Sequence, residues 1–242
     1  MPDKTKIDNS TEWLSPNTKA SNLSVKKIGK KKRKANDEKA MRRKLDIEKA
    51  KGANIIFGLD NGATGTVSCI IPYSDDDIDV HFSKTFANLE MDYQKDLQKI
   101  ARIDWQNLKE WFEKIIKKAK KNYNKKYKVE NPKIVIGMER PMINAERFKQ
   151  SKNAARAFES TLIVIEMLDL KDNYIILDSK KWQHHFFGKN TETLDLKKAS
   201  KDKGIEYLKS LRKKHTDLQD IIVKHGDADS LLIAKYILEK LV

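Results

Sequence analysis

From Ala53 onward, the apolar positions fall into runs whose length and period suggest the elements. The stretch "NIIFGLD", residues 54 to 60, is a continuous apolar run that stops on Asp60. Asn61-Gly62 and the small residues up to Gly65 predict a hairpin turn, with Thr66 to Tyr73 as the partner strand. A third strand fits Ile78 to Phe86. Between Asp104 and about Lys121, Trp105, Leu108, Trp111, Phe112, Ile115 and Ile116 recur at helical spacing with lysines opposite, which predicts an amphipathic helix lying on a sheet. "KIVIGME", ending on Glu139, is a short unbroken apolar run of the kind found in interior strands. A helix from about Ser151 to Leu168, the strand "YIILDS", a basic region from Lys180 to Lys214 and a last helix starting near Asp227 complete the pattern.

Three strands, helix, strand, helix, strand, helix is the order used by ribonuclease H-like domains, so the predicted class is α/β, a mixed sheet flanked by helices. The chain's 242 residues suit one sizeable core with an appendage. Composition divides the chain near Gly52. Residues 1 to 52 hold 16 Lys/Arg against 7 Asp/Glu, a net of +9 out of +15 for the whole chain. The predicted organisation is therefore a basic N-terminal tail over 1–52, followed by a catalytic domain over 53–242. Few apolar side chains occur in the first 34 residues, too few to offset the entropy of ordering them, so this part is expected to be disordered. Met41, Leu45 and Ile47 give "ANDEKAMRRKLDIEKAK" only a thin apolar stripe, predicting a marginal, solvated helix. The tail reads as a nucleic-acid arm, as a nuclear signal in a eukaryotic setting, or as a solubilising extension.

The excess positive charge points to polyanionic partners. No run of roughly 18 apolar residues is present, so no membrane span is expected, and an apolar leader is lacking. Cys69 is the only cysteine, which excludes an internal disulfide and any thiolate metal cluster; within its apolar strand it reads as a small buried hydrophobe. A reducing compartment fits, cytoplasmic in a bacterial or phage setting and nuclear in a eukaryotic one.

Acids stand where ligands bind. Asp60 and Glu139 end apolar strands, and Asp229, two residues after Asp227, opens a helix carrying Leu231, Leu232, Ile233, Ile237, Leu238 and Leu241. In open α/β sheets the crevice at the carboxyl ends of strands is the binding place. Carboxylates about 4 Å apart repel by roughly 4 kcal/mol per pair at an effective dielectric near 20, so a cation must hold them. All-oxygen donors point to Mg²⁺ or Mn²⁺, and a two-metal site suits phosphodiester displacement. Taken singly, each acid has a structural alternative. Asp60 could pin the hairpin as an Asx turn, Asp227 could cap the helix, and Glu139 could form a surface ion pair with Arg140 or another base.

"IIFGLDNGATGTVS", "IVIGMERPMINAERFKQSKNAARAFESTLIVIEML", "YIILDSKKWQ" and "HGDADSLLIAKYI" together resemble the RuvC-like Holliday junction resolvases, in particular the compact forms of phages and mobile elements. The resemblance runs from about residue 54 to the end and leaves the basic tail unexplained. It implies that Asp60, Glu139 and Asp229 hold two divalent metals, and that water attack cuts a phosphodiester bond of branched DNA within a symmetric homodimer. For a fourth ligand the family uses an acid or histidine three or four residues before the last Asp. Here Asp227 and His225 are the two candidates, and the sequence does not choose between them. His225 could also assist the attacking water, or be a plain exposed histidine. The resemblance also implies DNA contacts from Arg140, Arg147, Lys149, Lys152 and Arg156 after Glu139, and from Lys180 and Lys181 after the last strand. Phe148 could stack on an unpaired base or pack beneath the loop; Trp105, Trp111 and Trp182 read as structural.

"GLDNGATGT" also resembles the first phosphate hairpin of the actin, hexokinase and Hsp70 ATPases, but those need a second domain with its own glycine-rich loop, so no nucleotide cofactor is expected. A binder that does not cut would have no use for carboxylates facing a phosphate backbone. Among nucleases, a flap, branch or RNA–DNA hybrid substrate is the alternative to the four-way junction.

Overall fold

The structure, a computed structural model, describes residues 19–61, 65–84, 91–92, 99–100, 103–141, 143, 146, 148–191, 194–211, 215–225 and 228–242. The chain divides into two units, Met1–Lys44 and Leu45–Val242. Helix α1 spans Lys19–Ala50, so its last turns belong to the second unit.

α1 covers the stretch from Ala35 on where a marginal, solvated helix is expected, and its range begins earlier, at Lys19; residues 1–18 lie outside the described residues. The run from Lys19 has no proline and a single glycine, Gly29, and it is rich in Lys, Ala and Arg, so the backbone can close its own hydrogen bonds without a core. Where its side chains are described it is solvated: Met41 and Leu45 are exposed, and only near its end does Ala50 become fully buried.

In the second unit a five-stranded sheet has the order β3-β2-β1-β6-β7, formed by β1 (Ile55–Leu59), β2 (Thr66–Ser74), β3 (Asp77–Lys84), β6 (Ile134–Glu139) and β7 (Tyr174–Leu177). The first three strands form an antiparallel meander, whereas β1, β6 and β7 run parallel. This is a mixed α/β sheet flanked by helices, as the order of elements predicts. A separate two-stranded pair joins β4 (Met91–Asp92) and β5 (Lys99–Ile100). The turn residues 62–64 and the end of the predicted third strand at Thr85-Phe86 lie outside the described residues.

Period-2 alternation divides each strand between two cores. Ile55, Phe57, Leu59, Val67, Cys69, Ile71, Ile136 and Met138 face α2 (Trp105–Tyr127) and α3 (Phe148–Met167), meeting Leu108, Phe112, Ile115 and Val164. Ile56, Ile70, Val80, Phe82, Val135, Ile175 and Leu177 face α7 (Asp229–Lys240) together with α4 (Ser179–Phe187), α5 (Leu196–Ser210) and α6 (Thr216–His225). α2 begins at Asp104, whose carboxylate accepts from Asn107 N–H at 3.1 Å, and ends at Lys128 in the left-handed region, φ 59°. Trp105, predicted on the apolar stripe, is 38% exposed because it sits in the first turn, before the helix reaches the sheet. The basic region after Lys180 folds as helices α4 and α5, whose cores are formed by Trp182, Tyr207 and Leu208. Among the described residues no helix is long and apolar enough to cross a membrane.

Candidate active site

β1 and β6 are parallel with Leu59 opposite Met138, so Asp60 and Glu139 follow at the same level on adjacent strands, which lie about 4.8 Å apart. Leu59 and Met138 face α2 and α3; by alternation the two acids face the α7 side. Asp60 N–H donates to Thr66 O at 3.1 Å, which extends the ladder one step past β1 and fixes the Asp60 backbone. The buried Asn61 amide donates to Glu139 O at 3.3 Å and ties the start of the hairpin to the neighbouring strand end.

Helix α7 brings the third acid. It lies so close to β1 that a Cβ on Gly58 would stand 2.0 Å from Ser230 O. The buried Thr66 hydroxyl donates to Ser230 Oγ at 2.7 Å and locks the first turn of the helix onto the β1–β2 pair. Asp229 is thereby held at the helix start, where the backbone dipole favours a carboxylate. Buried Ser200 of α5 donates to Asp229 Oδ1, and its hydroxyl oxygen accepts from Ala228 N–H at 3.3 Å.

Glu139 is held at both oxygens. Ser179 Oγ donates to Oε1, and the indole N–H of fully buried Trp182 donates to Oε2 at 3.3 Å. Burial pushes the Glu139 carboxyl above its ordinary value, and the two donors oppose this only in part. Its negative charge is therefore under-compensated. Arg140 does not compensate it, since its guanidinium lies 3.3 Å from Asp178 Oδ1, just past the end of β7. The alternative of a Glu139–Arg140 pair is thus corrected: successive strand residues point to opposite faces.

Among the described residues no three His, Cys, Asp or Glu side chains close into a metal-holding set. Asp227 and the side chain of His225 lie outside the described residues, as do Arg147 and the side chains of Phe148 and Lys149. Of the other predicted DNA contacts, Arg140, Lys152 and Lys180 are exposed, while Arg156 and Lys181 are half-buried. The donor chemistry fits a hard divalent cation: Asp60, Glu139 and Asp229 are all-oxygen donors at one end of the sheet, and half-buried Glu139 has its carboxyl pushed above the ordinary value by desolvation. Sequence reasoning missed the groups behind the acids, Asn61, Ser179, Ser200, Thr66 and Ser230, and gave Trp182 no contact with Glu139. Each works across 29 to 164 residues of sequence, except Ser230, which neighbours Asp229, and no local pattern marks them.

No protein-family model matches the chain, and no curated protein sequence matches it. Among solved structures, T. thermophilus RuvC in complex with a Holliday junction substrate is similar over 74% of this chain and 90% of that chain, with 11% identity and a TM-score of 0.39. A likeness of that size carries no argument about activity.

Proposed function

We propose that this chain is a divalent-metal-dependent endodeoxyribonuclease of the ribonuclease H-like type, acting on branched DNA and in particular on four-way junctions as a two-fold homodimer. The reading is carried by the level placement of Asp60 and Glu139 at the carboxyl ends of adjacent parallel strands, on the face from which α7 delivers Asp229. A half-buried carboxylate with two hydrogen-bond donors behind it is fixed in orientation, whereas a solvated ion pair would leave it mobile.

In this reading Asp60, Glu139 and Asp229 hold the metal, with Asp227 or His225 as the fourth candidate. Bound there, divalent cations supply charge neutralisation on the attacking and leaving oxygens of the phosphodiester. Ser179 and Trp182 hold the Glu139 carboxylate in one orientation, and Ser200 does the same for Asp229. Arg140, whose guanidinium lies 3.3 Å from Asp178 Oδ1 just past β7, meets a substrate phosphate in this reading, with Lys152, Lys180 and Lys181 as further phosphate contacts.

The test offers purified protein and Mg²⁺ a four-way junction, a linear duplex, a flap and an RNA–DNA hybrid, with Asp60→Asn, Glu139→Gln and Asp229→Asn alongside. Paired symmetric nicks on the junction are expected from the wild-type protein. Each variant is expected to lose cutting by at least about 10²-fold while keeping junction affinity, because the acids oppose binding and the basic residues supply it. Wild-type cutting by any one variant removes that residue from the site. Absence of nicking on all four substrates refutes the nuclease reading.

A further inference from the structure

Helix α2 carries a charge asymmetry that its place in the core does not require. Leu108, Phe112, Ile115, Ala119 and Tyr123 form its buried face. From Lys114 to Val129 the sequence has eight lysines and no acid. At 3.6 residues per turn, Lys114, Lys117, Lys118, Lys121 and Lys125 fall within an arc of roughly 100° directed away from the buried face, and all five are exposed. Lys109 and Lys126 differ from them, one paired with Glu113 at 2.6 Å and the other with Asp77 at 2.7 Å. Among the described residues none of the five is in an ion pair. The pairs 114/117, 114/118, 117/121, 118/121 and 121/125 stand three or four residues apart and repel, so the stripe opposes helix stability rather than supporting it.

Its position is fixed at both ends. The last turns reach the amino end of β1, where the Tyr123 hydroxyl donates to Asn54 O at 3.2 Å and the Asn122 amide donates to the Tyr73 hydroxyl at 2.9 Å. Asp60 lies at the other end of β1, about 20 Å away at 3.3 Å per residue. Alongside, on edge strand β3, burial and then Lys118 lower the His81 pKa to about 4, so His81 adds no positive charge to the stripe, and Asp77 and Asp79 of the same strand line a pocket with Lys125 and Lys126.

The chemistry of the stripe selects its partner. A membrane-surface helix turns its apolar face to the lipid, but the apolar face of α2 is already buried in the core. A protein interface needs an apolar or aromatic anchor, and the arc has none. A line of five flexible point charges spanning about 16 Å suits the phosphate backbone of a duplex and carries nothing that reads base edges. We propose that Lys114, Lys117, Lys118, Lys121 and Lys125 form a sequence-independent contact for a duplex DNA arm, remote from the acidic end of the sheet and several base pairs from the cut. For the identity of its partner the proposal rests on the nuclease reading above.

The test uses full-length protein in EDTA, so that no cutting intervenes, and fluorescence anisotropy across salt concentrations. The probes are four-way junctions with arms of about 20 bp, or of about 5 bp capped by hairpin loops, because 20 Å corresponds to roughly 6 bp at 3.4 Å per step. The quadruple variant Lys114→Gln, Lys118→Gln, Lys121→Gln, Lys125→Gln is expected to lower the slope of log affinity against log salt by about 3.6 on long arms, at roughly 0.9 per phosphate contact. Its affinity for short arms should be unchanged, and the corresponding Lys→Arg quadruple should retain the wild-type slope. Far-UV circular dichroism and melting establish that both variants fold. An unchanged slope on long arms, or an equal loss on short arms, overturns the proposal. So does a stripe-dependent affinity for phosphatidylserine vesicles that exceeds the affinity for duplex. Stripe-dependent DNA binding without nicking in Mg²⁺ would keep the contact and refute the nuclease reading; nicking with an unchanged slope would do the reverse.

Discussion

Replacing Gly58 by alanine tests whether the approach of α7 to β1 sets the site. The added Cβ would meet Ser230 O at 2.0 Å, Ala234 N at 2.6 Å and Ala234 Cβ at 3.1 Å. The two closest atoms are backbone, so no side-chain rotation relieves the contact. Real Cβ atoms stop near 3.0 Å, so helix and strand must part by about 1 Å. Neither moves easily: β1 is hydrogen-bonded to β2 and β6 on its two sides, and Leu231, Leu232, Ile233, Ala234 and Ile237 of α7 are fully buried. Overpacking of a core costs about 1–3 kcal/mol, and a backbone clash of this kind belongs at the upper end, about 3 kcal/mol. For a unit of about 200 residues that lowers the melting temperature by roughly 6–12 °C. Gly137→Ala is the internal control. Its closest contact, 2.2 Å, is with Ile237 Cδ1, the tip of a side chain that can rotate, so a smaller loss of about 1 kcal/mol is expected. Because Asp60 follows Gly58 by two residues and Asp229 precedes Ser230, the separation also pulls the acids apart. Nicking measured well below the melting temperature should fall about 10²-fold, as a 1 Å misplacement can cost. The reasoning is refuted if Gly58→Ala melts within about 2 °C of wild type, or if it is no more damaging than Gly137→Ala.

Three further outcomes are expected. Burial holds the Glu139 carboxyl above its ordinary value, so the folded chain binds this proton more tightly than the unfolded chain, and in EDTA stability should fall as pH rises from the ordinary Glu range through the raised value. Glu139→Gln should abolish that slope, and Mg²⁺ should raise the melting temperature of the wild-type protein more than that of the variant; scanning fluorimetry over roughly pH 4 to 8 decides, and a slope that survives in the variant assigns it elsewhere. Removing residues 1–44 should leave the second unit folded and flatten the salt dependence of DNA binding, whereas removing 1–51 should also cost about 1–3 kcal/mol in urea unfolding, because buried Ala50 goes and Lys133 Nζ loses Glu48 O at 3.2 Å and Lys51 O at 2.9 Å. Asp227→Asn should raise the Mg²⁺ concentration needed for cutting with little change in pH profile, whereas His225→Ala should remove the lower-pH limb if the imidazole assists the water; rate surfaces unchanged from wild type in both variants would leave Asp60, Glu139 and Asp229 as the only side chains holding the metal.

The sheet was legible because its strands are buried on both faces, and unbroken apolar runs such as "NIIFGL" and "KIVIGM" are what that environment selects. The acids were legible for the same reason: a carboxylate interrupting such a run is conspicuous. The helices α4 and α5 were not, since α5 exposes most of its lysines and buries only Ser200, Gly204, Tyr207 and Leu208, too few apolar positions to impose a period on the sequence. α1 was legible only in its second half: from Ala35 on, good helix formers and a thin apolar stripe mark a helix, whereas before it the near absence of apolar side chains leaves only local propensity, which composition does not distinguish from disorder.

The groups that orient the acids were illegible in a different way, and the difference bears on how the site works. Ser179, Trp182 and Ser200 have no chemistry of their own that a motif would mark; they matter because α4 and α5 pack where their donors reach Glu139 and Asp229. Trp182 is at once a core residue, 1% exposed, and the partner of Glu139 Oε2. Gly204 binds the same arrangement from the α5 side, since a Cβ there would stand 2.5 Å from Ala228 Cβ, immediately before Asp229. Packing on the α7 face and orientation of the carboxylates are therefore one constraint, so substitutions in that core should change activity before they unfold the protein. The core between the sheet and α2 lacks this coupling, because its side chains end on the face away from the acids.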